Sequence, residues 1–147
     1  MAHVRRQIRE YFGSYLTGLT TTGSNVFESR VYPMQSAKLP AILIYTTSEA
    51  SEEVAFSKKR VQERLLDVQV EGYIRAITGF DDKLDLIASE VETAILADPT
   101  LGGLALNTVL SGTEAEYSGD AEQPVGTIRL TFQVQYRTET GYPDSAI

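Results

Sequence analysis

Cysteine and tryptophan are absent, and histidine occurs once, as His3. Without thiols the chain builds no disulfide framework, no Cys/His zinc site and no cysteine nucleophile. A Ser-His-Asp arrangement would have to recruit His3, at an end where chains commonly fray, so His3 reads as a solvated terminal residue. Neither a catalytic centre nor a cofactor is expected. Long apolar runs are missing as well: nothing approaches the ~18 residues of a membrane span. Arg5 and Arg6 are followed by Gln7, Arg9 and Glu10 rather than by the apolar core of a signal peptide. The expectation is a protein that is cytosolic where it is made, which leaves export inside a larger particle open, with no membrane partner. Basic charge is in short supply, with 13 Lys and Arg against 20 Asp and Glu. The resulting net charge of −7 disfavours a surface that coats nucleic-acid phosphates.

Apolar material is sufficient for a core, since 42% of the 147 residues are hydrophobic, and no low-complexity block interrupts the chain. That size fits a single domain over residues 1–147. Val4, Ile8, Tyr11, Phe12, Tyr15 and Leu16 recur at helical spacing and predict a helix from about Ala2 to Thr17, ended by Gly18. The Thr/Gly/Ser-rich stretch to Asn25 is a connecting loop. Two β-rich runs follow, Val26 to Tyr32 and Ala41 to Thr46. The second is apolar on both faces, as an interior strand is. The segment Thr47 to Arg60 has no clean period and reads as a long polar loop.

From Leu66 to Ile74 apolar and polar residues alternate, which marks a half-buried strand. Leu84, Ile87, Ala88, Val91, Ala94 and Ile95 then define an amphipathic helix ending before Pro99. A weaker strand from about Leu106 to Tyr117 leads through a turn region at Ser118–Pro124 into a strong alternating strand containing Ile128, Leu130, Phe132, Val134 and Tyr136. The order α-β-β-β-α-β-β predicts an α+β domain. Its sheet is mainly antiparallel or mixed, of about five strands, with two helices on one face.

Asp81, Asp82 and Asp85 spell D-D-x-x-D, a spacing that could hold Mg²⁺ through phosphates. Acids in a first helical turn also complement the helix dipole, and no second acidic motif accompanies them, so no metal site is assigned. Gly102-Gly103 lacks the lysine and the strand-to-helix context of a phosphate loop. The eight tyrosines fall mostly at core-like positions.

The arrangement of charge is more informative. The first helix carries Arg5, Arg6 and Arg9 against Glu10, and the span 79–98 carries Asp81, Asp82, Asp85, Glu90, Glu92 and Asp98 against Lys83. The polar loop has an acidic half, Glu49, Glu52 and Glu53, then Phe56, then a basic half, Lys58, Lys59 and Arg60. Segregated opposite charges suit head-to-tail contacts between identical subunits, and these residues together with Arg5, Arg6 and Arg9 form the candidate subunit interface. An ordinary solvated surface accounts for the same composition.

The succession of the N-terminal helix, Arg30-Val31-Tyr32-Pro33, the Leu39-Pro40-Ala41-Ile42-Leu43-Ile44-Tyr45 strand, the two-signed polar loop, the Leu66–Tyr73 strand, the Leu84–Ile95 helix and the final Phe132–Thr138 strand resembles the tail terminators of long-tailed bacteriophages over nearly the whole chain. The resemblance implies a structural virion protein without catalytic residues. It implies a homohexameric ring that caps the head-proximal end of the tail tube, stops its polymerisation and meets a neck or head-completion protein. Assembly would then take place in the host cytoplasm. An acidic lumen would let DNA pass without specific binding. Two alternatives stay open: a head–tail connector of the neck, and, more distantly, a small ligand-binding α+β domain.

Overall fold

A computed structural model describes residues 2–28, 39–75, 78–118 and 125–147. Helix α1 spans Val4–Leu16, followed by strands β1, Val26–Phe27, β2, Ala41–Phe56, and β3, Arg60–Arg75. Helix α2 spans Phe80–Leu96, and β4, Asn107–Ser118, and β5, Val125–Glu139, complete the chain. The strands form one mixed sheet in the order β1-β2-β3-β5-β4. β1 is parallel to β2 and every other pair is antiparallel. This is the expected α+β architecture. The expected strand Val26–Tyr32 begins as β1 and Glu28 lies beyond its end; residues 29–33 and most of the Ser118–Pro124 turn region lie outside the described residues.

Alternation decides which face of the sheet takes the helices. Leu66, Val68, Val70 and Ile74 of β3 and Ile128, Leu130, Phe132, Val134 and Tyr136 of β5 point to one side. There they form a single buried cluster with Val4, Ile8, Phe12 and Leu16 of α1 and Leu84, Ile87, Ala88, Val91 and Ile95 of α2. Phe12 meets Phe132 edge to face at 5.6 Å, which fixes the height of α1 on the sheet. Tyr15, expected on the buried stripe, is instead 53% exposed and stacks on Tyr11 at the rim. α1 therefore buries a narrower stripe than its periodicity suggests.

The main departure from expectation is the segment Thr47–Arg60. It is no loop: β2 continues to Phe56 and β3 starts at Arg60, so these residues are the upper arms and the turn of a long hairpin. Two irregularities in register, between Thr46 and Glu49 and between Glu53 and Ala55, explain why no period is visible. Each bulge inserts a residue and shifts the phase of inward and outward side chains, so an alternating pattern cannot persist along the strand. His3 is likewise no free terminal residue. Its Nδ1 accepts the Arg5 backbone N–H at 3.1 Å and so caps α1.

Close approach of α2 to the sheet depends on Gly72, where an added Cβ would sit 2.8 Å from Ile87 Cγ2 and 3.3 Å from Ile128 Cγ2. Both neighbours are branched and buried and have little room to yield. Gly72→Ala is expected to destabilise the fold by about 1–3 kcal/mol, read as a lower midpoint of urea unfolding with an unchanged slope.

Candidate assembly surface

The hairpin's base is pinned by Glu49. The first bulge turns this side chain to the helix side, where it is 6% exposed. Arg5 of α1 donates to its Oε2 at 2.8 Å, Arg64 of β3 donates to the same oxygen at 3.1 Å, and the Tyr136 hydroxyl of β5 donates to Oε1. One carboxylate thus joins α1, β2, β3 and β5. Burial pushes the Tyr136 hydroxyl pKa up, and the bond to Glu49 adds to the shift. His3 lies beside this cluster, and its pKa is lowered by burial and then by the Arg5 and Arg64 charges.

The candidate interface residues therefore separate into two groups. Arg5 and Glu49 are bound to each other within the subunit, Arg6 pairs with Glu10 one helical turn away, and Arg9 donates to Thr46 Oγ1. Glu53 accepts from the Thr140 hydroxyl at 3.0 Å. Glu52, Phe56, Lys58, Lys59 and Arg60 remain at the exposed upper end of the hairpin, with Phe56 76% exposed. Among the described residues, none of the three cations there forms an ion pair. The two-signed loop of the sequence is thus a buried acidic anchor below and a free basic tip above.

The sheet face opposite the helices is polar and acidic. Register places Glu52, Glu63, Asp67, Glu71, Glu114 and Glu116 on it, against Arg75, Arg129 and Arg137. At its centre Glu71 is buried and accepts from the hydroxyls of Tyr45 and Tyr73 and from Arg129 Nε at 3.2 Å. Burial raises both tyrosine pKa values, and the hydrogen bonds to Glu71 raise them further. Gln69 accepts from the Thr131 hydroxyl at 2.7 Å and donates to Thr47 at 3.3 Å. These side chains are mutually satisfied, which makes the face a hydrogen-bonded lattice.

Sequence reading missed the Glu71 cluster. Tyr73 shares a strand face with Glu71 and was readable from spacing, but Arg129 and Tyr45 join only through strand register. Asp81, Asp82 and Asp85 are exposed on the first turns of α2, as helix-start acids are.

The Glu49 cluster sets a sharp energetic contrast. Removing its carboxylate leaves the largely buried Arg64 guanidinium and the Tyr136 hydroxyl without their acceptor. Glu49→Ala is expected to cost about 3 kcal/mol in chemical denaturation, whereas Arg6→Ala, which breaks an exposed pair one turn apart, costs less than about 0.5 kcal/mol.

No curated protein matches the chain. Among solved structures, a chain in the virion of a native gene transfer agent particle is similar over 90% of this chain and 90% of its own length, with 14% identity and a TM-score of 0.47. The family model described as phage minor tail protein U matches residues 3–136, from the histidine that caps α1 to the tyrosine bound to Glu49. The chain belongs to the phage minor tail protein U family, and is a structural protein of a bacteriophage tail.

Proposed function

We propose that the protein is the tail terminator: a ring, six subunits in the reading given by the resemblance, that caps the head-proximal end of the tail tube, ends its growth and offers a surface to the neck or head-completion protein. The observation that carries this reading is the family match over residues 3–136. The protein acts through binding alone and has no catalytic step. Its two unlike sheet faces support the reading, because a ring built by heterologous contacts has two different ends and two different walls. The acidic, hydrogen-bonded face suits the lumen, where like charge keeps DNA phosphates from adhering. The basic hairpin tip and Phe56 suit contacts with a neighbour.

Electron microscopy of particles assembled without this protein tests the role. The expected outcome is tubes of uncontrolled length that do not join heads, because an uncapped tube end keeps accepting rings. Tails of normal length that are merely detached from heads would assign the protein to the connector instead, and normal infectious particles would reject both roles.

A further inference from the structure

The sheet ends in two long edges that no described strand covers. β1 pairs with β2 only at Ile42 and Leu43, so the outer edge of β2 from Thr47 to Phe56 has no strand partner among the described residues. At the other end β4 pairs with β5 on one side only. Isolated proteins blunt such edges with short strands, lysine or proline, because exposed N–H and C=O groups recruit another strand. β4 is 12 residues long, and from Asn107 to Thr113 it has no charged residue and no proline. Val109 is 44% exposed on it.

The two edges suit each other. Ala50, Leu65, Gln135 and Asn107 form one continuous row across β2, β3, β5 and β4, so the upper end of β4 is level with the middle of β2's open edge. Three successive antiparallel pairings make β4 antiparallel to β2. A second copy set alongside in the same orientation would therefore bring its β4 antiparallel to this β2, without inversion. Of the three acids on this stretch of β2, Glu49 is turned inward and bound to Arg5 and Arg64, Glu53 accepts from Thr140, and Glu52 lies on the open face. Above that row the hairpin overhangs. Phe56, Lys58 and Lys59 would pass over the neighbour's segment leading into β4, which carries exposed Leu106 and half-buried Asp98 and follows the carbonyl end of α2. Hydrogen bonds of Asp98 with Thr100 and Gly102 lower its pKa and keep it anionic.

We infer that subunits join by strand addition: the outer edge of β2 beyond Thr46 pairs antiparallel with the Asn107–Ser111 half of β4 in the next copy, which continues one sheet from subunit to subunit. This rests on the ring reading above and specifies its contact. The two edges are different surfaces, so the contact is heterologous and can close into a ring.

A double variant, Ala50→Cys with Asn107→Cys, tests it in a chain that has no cysteine of its own. Both positions are exposed. Within one subunit they lie three strand spacings apart, about 14 Å, beyond the ~7 Å Cα separation that a disulfide spans. Under mild oxidation the assembled protein is expected to give a covalent ladder at multiples of 16.2 kDa that stops at the ring size, and each single variant gives dimers at most. Pairings of Ala50→Cys or Glu52→Cys with Val109→Cys cover neighbouring registers. Rings of normal mass with no ladder from any of these pairs would overturn strand addition and leave the ring intact. A wild-type chain that stays monomeric at every concentration would overturn the ring reading and the contact together.

Discussion

A single buried carboxylate organises the upper half of this molecule. Glu49 takes hydrogen bonds from Arg5, Arg64 and Tyr136, and each donor comes from a different element. A carboxylate withdrawn from water is tolerated only when its oxygens are satisfied, and here three donors satisfy them. The consequence is mechanical. The hairpin runs beyond the helix-covered core, and without an anchor it would be a two-stranded ribbon of marginal stability. The Glu49 cluster, together with pairing of β3 to β5 up to Glu139, makes it an extension of the sheet.

The sheet's two faces then divide the work of folding and of assembly. The helix side is apolar and continuous from Val4 to Tyr136, and it supplies the hydrophobic driving force. The open side is mainly polar, with Leu65 and Val109 exposed on it, and its lattice of Glu71, Tyr45, Tyr73, Arg129, Gln69 and Thr131 fixes side chains in place.

Much of the fold was readable from spacing. α1, α2, the lower half of β2, β3 from Leu66 and the whole of β5 follow directly from apolar periods of 3.6 and 2, because their buried faces meet one continuous core. The hairpin arms were not readable, because the bulges at Thr47–Ser48 and Val54 break the phase and because Glu49, Arg64 and Gln62 occupy inward positions where apolar residues would signal a strand. Of the residues grouped by charge, Phe56, Lys58, Lys59 and Arg60 are exposed at the tip, whereas Arg5 and Glu49 are bound to each other within the subunit. Charge sign carries no information about which carboxylate a strand turns inward. His3 as a helix cap was hidden for a similar reason, since capping depends on local backbone geometry rather than on composition.

The central claim is that the hairpin is a preformed, rigid part of the subunit before any neighbour arrives. Amide hydrogen exchange on the dissociated subunit tests it most directly, followed along Glu49–Glu53 of β2 and Val61–Leu66 of β3. The account predicts that amides in the β2–β3 ladder here are protected in the isolated chain, to a degree approaching that of Val68 and Val70 in the core. Exchange of these amides at the rate of an unstructured peptide, with protection gained only on assembly, would contradict it.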